Sequence, residues 1–389
     1  MNFEKKNNIY KTTMVVLITA IITFIITSVL MYNYMQLNEN TSIISKIEDK
    51  IKFVKTYLEN NYLGEMNEEK MLEYAIKGYV AGIGDEYTAY LTKDEYEDLM
   101  INVNGNYVGI GVYITQDRYG NTIVLLPIEG SPAEQADLRT GDIILKINGE
   151  ECANQELDAI VNKIKGEEGS TVEIEIQRDK EILTKTIERK NVEINQVESK
   201  ILENNIGYIQ ILSFDDGSSK EFEVKLDELI NKGIKHLIID VRDNGGGIVE
   251  EAEEISNLFL DKNNIIMIEI NKNGNEEITK AEEDKKISTD MSIIILTNEN
   301  TASAAEIFVG ALKENGVAKV VGERTFGKGV MQEIAPLPDG GALKLTIEEF
   351  KTPNGNEINK KGIEPDIEIE ENNYTETDEQ LQKAIETLK

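Results

Sequence analysis

Histidine and cysteine are almost missing from this chain: its 389 residues hold one of each, His236 and Cys152. A single cysteine excludes any disulfide within the chain. A single histidine excludes a histidine-rich metal cage and leaves imidazole acid–base chemistry resting on one side chain. Positive charge is also short. The formal net charge is −31, which repels nucleic acid and anionic lipid, so neither fits as the main partner of the soluble part. Internal repeats and low-complexity linkers are missing too. What is present is enough for two or three domains by length. Hydrophobic content of 40% can build cores, and 29% charged residues suits a soluble protein apart from one segment.

That segment is the uncharged apolar run from Thr12 to Tyr34, which follows Lys5, Lys6 and Lys11. A helix needs about 20 apolar residues to cross a bilayer. The lysines place its N-terminal side in the cytoplasm. The competing reading is a cleaved signal peptide. Leu30, Met31, Tyr32, Asn33, Tyr34 and Met35 supply no small residue for a cleavage site, so the sequence favours a retained single-pass anchor with the rest of the chain outside. The expected organisation is a cytoplasmic stretch over 1–11 and a transmembrane anchor over 12–34. A helical region follows over 43–100, a β-rich domain over 105–190, an α/β core over 195–372 and a C-terminal helix over 373–389. In the helical region Ile47, Ile51, Val54, Leu58, Met71, Leu72, Ala75, Ile76 and Tyr79 recur at three and four residues. A stalk, a homodimerisation element and the first layer of the core are all open readings of it.

From Tyr107 to Ile194 short strands separated by Gly and Asp turns dominate. Tyr107–Thr115, Thr122–Leu126, Asp142–Ile147, Thr171–Arg178 and Ile182–Glu188 read as strands. From Gly207 strands and helices alternate, which predicts an α/β domain around a buried sheet. Its strands are Gly207–Ile211, Leu237–Asp240, Ile265–Ile270, Ile293–Leu296 and Ala318–Val321. Its helices are Glu221–Asn231, Val249–Leu260 and Ala304–Asn315, with a tail helix Glu379–Leu388.

Three segments of this domain carry chemistry. Ser303 stands where the strand ending at Leu296 hands over to the helix from Ala304. Free N–H groups and the helix dipole there favour a developing oxyanion. Ser303-Ala-Ala-Glu306 also reads as an ordinary capping box. Gly245-Gly246-Gly247 follows the strand His236–Asp240, where backbone amides can approach a ligand closely. Lys328 lies between Gly327 and Gly329. A lysine works as a base only when neutral, and burial supplies that condition by lowering its pKa. Gln332 could hold the amine. On a straight strand residues 328 and 332 would stand about 13 Å apart, so the sequence predicts a helical turn or sharp bend between them. A Ser-His-Asp triad would have to use His236, about 20 Å away at the far end of its strand. A serine–lysine pair is the better serine reading. Gly322–Lys328 also matches the start of a P-loop, but Gly329 stands where Ser or Thr should hold magnesium.

Taken together these segments resemble the carboxyl-terminal processing peptidases of bacteria and chloroplasts, over about Ile43 to Lys389. Ile238–Gly247 resembles the family's Asp-x-Arg-x-Asn-x-Gly-Gly loop, Thr301–Leu312 its nucleophile segment and Gly322–Gln332 its base segment. Gly245 stands where a proline is common and Ala305 where a second serine is common. The resemblance implies Ser303 as nucleophile, Lys328 as general base and Gln332 as the residue that positions the lysine. It implies an oxyanion hole from the amides of Ala304 and either Gly246 or Gly247. Tyr107–Val112, Gly130–Leu138 and Gly141–Gly149 are similar to the signatures of a PDZ domain. A chain terminus would add there as a strand, its carboxylate held around Val108, Gly109, Ile110 and Gly111. The implied activity is hydrolysis of exported or membrane proteins that offer a C-terminal tail, with no metal or organic cofactor. The rival is a PDZ scaffold that binds tails without cutting them.

Overall fold

Alternate residues of the central strands face opposite ways, and each set meets a different helical layer. In the computed structural model, residues 3–388 are described apart from 104–105, 118, 129, 154, 194, 289 and 371–376. The chain forms two compact units, Met1–Tyr74 and Ala75–Lys389.

In the second unit a six-stranded sheet runs Val197–Leu202, Ile206–Ile211, His236–Asp240, Ser292–Thr297, Ala318–Gly322 and Ile367–Glu368. The first pair is antiparallel and the others are parallel. Ile209, Ile211, Leu237, Ile239, Ile293, Ile295 and Val320 face one way. They pack with Phe222 and Leu226 of helix Ser218–Asn231, Ile255 of Val249–Asn257, and Phe308 and Leu312 of Ala304–Glu314. Tyr208, Ile238, Ile294, Leu296 and Val321 face the other way, toward Ala384 of the C-terminal helix Glu379–Thr387. Burial of such side chains is worth about 1.5–3 kcal/mol each, so this double-sided sheet is the frame that fixes the loops at its strand ends.

A second, antiparallel sheet was not anticipated as a unit. Ala89–Leu91, Ala342–Lys351, Ile265–Asn271 and Glu276–Lys280 are neighbours in that order, and Val330–Pro336 pairs with Ala342–Lys351. The stretch Ile265–Ile270, expected in the one buried, mixed sheet of the α/β core, belongs here. It pairs antiparallel with Glu276–Lys280 across a tight turn and so leaves the parallel layer. Part of the helical region of 43–100 also joins this sheet, through Ala89–Leu91.

The β-rich domain is a sheet ordered Val112–Gln116, Thr122–Pro127, Ile143–Ile147, Thr171–Arg178, Glu181–Glu188. Its core holds Ile110, Val124, Ile144, Ile160, Val172, Ile174 and the lone Cys152. The strand expected over Tyr107–Thr115 is broken in two. Gly111 has φ +75°, and a Cβ there would come within 2.3 Å of Ser131 Cβ. Asn106–Gly109 leaves the sheet and pairs with Lys190–Glu193 instead.

The first unit contains the helix Phe3–Asn61. Among the described residues no helix is long and apolar enough to cross a membrane. The transmembrane helix expected over 12–34 is therefore not found. The helix is continuous there, and the side chains of 12–13, 15–18, 20 and 34 in the expected span lie outside the described residues. At the other end, 371–376 of the expected C-terminal segment lie outside the described residues.

Candidate active site

Three loops meet beyond the C-terminal ends of the parallel strands, the usual place for a ligand in an open α/β sheet. They are 241–248, 298–303 and 323–329. The N–H of Ala302 donates to the Asn244 carbonyl at 2.9 Å, and that of Phe326 to the Thr301 carbonyl at 2.9 Å. Asn298 and Asn300 both donate to Asp243 Oδ1 at 2.8 Å. The buried Thr301 hydroxyl donates to the Val241 carbonyl at 2.8 Å.

Ser303 has φ +57° and ψ −121°. A side chain in that region costs on the order of 1–3 kcal/mol, and such strain gathers at functional sites. Thr301, Ala302, Ala304, Ala305 and Glu306 around it are buried, while Ser303 itself stays partly accessible. Ser303 and Glu306 are placed as a capping box, but only its carboxylate half is well made. The Ser303 N–H donates to Glu306 Oε2 at 2.9 Å. The Glu306 N–H donates to the Ser303 carbonyl at 2.8 Å, and the hydroxyl makes no cap hydrogen bond.

Glu306 is more than a cap. Fully buried, it accepts from the Thr325 hydroxyl at 2.5 Å, the Gly327 N–H at 2.8 Å and the Lys328 N–H at 2.8 Å. Burial pushes its carboxyl above the usual glutamate range, against the pull of these donors. Sequence reasoning assigned it only to the box. Its link to the lysine loop joins two segments that nothing local connects.

The glycines that flank Lys328 stand where a side chain would not fit. A Cβ at Gly329 would come within 2.3 Å of the Asn359 nitrogen, and one at Gly327 within 2.9 Å of the Gly362 nitrogen. The loop is pressed against 358–362, and the partly buried lysine side chain carries Nζ to 5.2 Å from the centre of the Tyr87 ring. Burial lowers the Lys328 pKa, the Lys344 charge lowers it further, and Glu306 opposes both. No helical turn links Lys328 to Gln332. Val330–Pro336 is a strand, and a register shift at Met331/Gln332 takes the place of the expected bend. The Gln332 amide donates to the Val330 carbonyl at 3.3 Å and to Thr346 Oγ1 at 3.5 Å, not to or from the lysine. Among the described residues no hydrogen bond joins Ser303 Oγ to Lys328 Nζ in this conformation.

The glycine loop lies directly on Ser303. A Cβ at Gly246 would come within 2.8 Å of Ser303 Cβ and 2.9 Å of the Ala304 nitrogen, and one at Gly247 within 2.4 Å of the Phe214 carbonyl oxygen. The Gly246 N–H already donates to Asn244 Oδ1 at 2.8 Å, which takes it out of the expected oxyanion set. Ala304 opens its helix with a first-turn amide. His236 starts its strand at the opposite end of the sheet, and its buried Nδ1 has no hydrogen-bond partner among the described residues. The rival P-loop lacks its helix, because a strand follows Gly329.

In the β-rich domain, Val108 and Gly109 belong to a paired strand, so of the four expected carboxylate-binding residues only Ile110 and Gly111 lie between the strands. The Gly111 carbonyl accepts from Ser131 Oγ at 2.9 Å. The adjoining strand Val112–Gln116 stands at the edge of its sheet, where an added strand could pair.

The profile of Peptidase family S41 matches residues 205–369, and that of a PDZ domain residues 123–178. A probable CtpA-like serine protease of Staphylococcus aureus (strain MRSA252) is 35% identical over 360 residues, 92% of this chain and 72% of that protein. The carboxy-terminal processing protease CtpB of Bacillus subtilis (strain 168) is 37% identical over 334 residues, 85% of this chain and 69% of that protein. Among solved structures, the photosystem II D1 C-terminal processing protease superposes with a TM-score of 0.51 at 28% identity, covering 82% of this chain and 86% of that one. A putative S41 protease from Bacteroides fragilis NCTC 9343 shares the fold, with a TM-score of 0.54 at 16% identity over 84% of this chain and 91% of that one.

Proposed function

Because this chain belongs to the carboxyl-terminal processing serine peptidases of family S41, we propose that it cuts exported or membrane proteins through an acyl-enzyme on Ser303, with Lys328 as general base. The observation that carries this reading is the single buried carboxylate of Glu306, which holds the backbone of both residues. The lowered pKa of Lys328 makes the neutral amine accessible. The reading requires the Lys328 side chain to swing from the Tyr87 ring to the serine.

The amine then takes the Ser303 proton as Oγ attacks the scissile carbonyl. The oxyanion is held by the amides of Ala304 and Gly247. The ammonium gives its proton to the leaving amine, and water, deprotonated by the same lysine, releases the acyl group. Gln332 holds the amine once its long contacts to Val330 and Thr346 are given up, bonds near the weak limit. A substrate's C-terminal tail pairs with the edge strand Val112–Gln116, its carboxylate at Ile110–Gly111.

The test compares wild type with Ser303→Ala for cleavage of an unfolded protein and for binding of a tail peptide. The peptidase reading expects cleavage to vanish in the variant and binding to stay. A PDZ scaffold would bind in both cases and cut in neither. Action beyond the cytoplasmic membrane is part of the proposal, supported by the lysines ahead of the uncharged run over 12–34. Fractionation of cells that produce the chain, with antibody detection, tests it; recovery in the cytosol alone would refute it.

A further inference from the structure

The segment Asp85–Leu91 comes from the helical region before the PDZ domain, yet it ends beside the catalytic lysine. Three contacts fix its position. Ala89–Leu91 pairs with Ala342–Leu343–Lys344 of the second sheet. The Thr88 hydroxyl, buried, accepts from the Thr346 N–H at 3.1 Å. It also donates to the Asp85 carboxylate. The residue between these anchors is Tyr87, partly buried, and its ring faces Lys328 Nζ at 5.2 Å from the centroid. Thr346 is also the residue opposite Gln332 across the strand pair. The same strand therefore positions both the tyrosine loop and the expected lysine holder.

We infer that Tyr87 is a positioning residue for the base: its ring roofs the Lys328 amine, keeps bulk water away from it, and stabilises the ammonium formed when the amine takes the Ser303 proton. This deepens the serine–lysine reading and rests on it. The step balances without a further reagent. The Oγ–H proton moves to the lone pair of Nζ, the Oγ–C bond forms, and the positive charge appears under the negative face of the ring. The ring thus serves both states of the amine. Cover favours the neutral form before the transfer, and the π face favours the charged form during it. The tyrosine hydroxyl has no part in this.

The ionisable groups facing the amine come from three elements: Tyr87 on its loop, Lys344 on Ala342–Lys351 and Glu306 on Ala304–Glu314. Tyr87 itself is faced by Asp85, Glu86 and Glu306. Lys344 and Glu306 act on Nζ in opposite directions. Neither is touched by substituting Tyr87, so a change in profile reports the ring.

The experiment measures kcat/KM against pH for peptide cleavage by the full chain as wild type, Tyr87→Phe, Tyr87→Leu, Tyr87→Ala and Lys328→Ala, with thermal melting of each. Phenylalanine keeps the ring and should retain the wild-type profile and most of the rate. Leucine keeps cover but has no π face, and should lower the rate by about fivefold with little shift of the acidic limb. Alanine opens the amine to water, raises its pKa and moves the acidic limb to higher pH by on the order of one unit. Identical profiles and rates for Tyr87→Ala and wild type, with Lys328→Ala inactive, would overturn the role of Tyr87 and leave the base assignment standing. Full activity of Lys328→Ala would overturn the base assignment, and the role of Tyr87 with it. Melting temperatures that fall in step with the rates, with unshifted profiles, would reduce Tyr87 to a structural residue.

Discussion

Glu306 Oε2 accepts the backbone N–H of Lys328 at 2.8 Å, and the same oxygen accepts that of Ser303 at 2.9 Å. The segments of Ser303 and Lys328 are thus fixed to one buried atom, although among the described residues no hydrogen bond joins their side chains in this conformation. Every group around the carboxylate is a donor. Glu306→Gln turns an NH₂ toward some of them and should cost about 3 kcal/mol. It should also lower cleavage more than tenfold, because the lysine loop loses its register with the serine. Urea denaturation and steady-state kinetics check the two parts separately. Unchanged activity in a destabilised variant would make the carboxylate a purely structural tie.

The backbone of Ser303 predicts an inverse relation between stability and function. At φ +57° and ψ −121° the residue stores strain that glycine would not feel. Ser303→Gly should abolish cleavage and raise stability by about 1 kcal/mol, the strain relieved less the extra chain entropy of glycine. Ser303→Ala keeps the Cβ, hence the strain, and should gain nothing comparable. Denaturation midpoints of the two variants against wild type decide the matter.

In the PDZ domain, Arg178 reaches the almost fully buried Asp142 with Nε at 2.7 Å and Nη2 at 2.8 Å. Burial pushes the Asp142 carboxyl up, but Arg178 and the Arg139 N–H pull it below its ordinary value of 3.8. A depressed carboxyl contributes stability that is present above the unfolded pKa and lost as pH falls through the folded one. The domain should therefore weaken below about pH 4. Arg178→Met leaves Asp142 buried without its partner and should cost about 3 kcal/mol at neutral pH. Loss of PDZ signals before core signals in a urea titration followed by NMR would show it.

Glu253 works in the other direction. Burial, then the charges of Glu269, Glu250, Glu282 and Glu254, push it up to about 7. An acid raised in the folded state weakens the fold as pH climbs from the ordinary glutamate range through that value. Glu253→Gln should stabilise the chain by on the order of 1 kcal/mol at pH 8, after allowance for solvent screening, and by nothing below about pH 4.5. Parallel melts at pH 4 and pH 8 test the sign.

Local pattern made Ser303, Lys328 and the glycine loop legible, because each sits where a strand run stops and a glycine or helix begins. The parallel sheet was legible for the same reason: its strands are short apolar runs with clear ends. The second sheet was not. Ala342–Lys351 alternates as a strand should and makes a hairpin with Val330–Pro336, but its other partners Ala89–Leu91 and Ile265–Asn271 lie far away along the chain, and alternation alone does not name partners. Gln332 was found by type and misplaced by geometry, since the strand pairing outweighed the helical turn that an i, i+4 contact needs. The resemblance left Gly246 and Gly247 both open as oxyanion donors, and the Asn244 side chain that accepts from the Gly246 N–H could not be seen from spacing. Tyr87 carried no signal at all, because its contact with Lys328 exists only through the fold.

The central claim is that an uncharged Lys328 activates Ser303. The most direct measurement is cleavage of one unfolded protein by wild type and Lys328→Ala at equal concentration, followed by gel and mass spectrometry. Loss of a general base costs about 10²–10⁴-fold, so the account predicts no visible products from the variant while wild type digests the substrate. Equal digestion by both would contradict it.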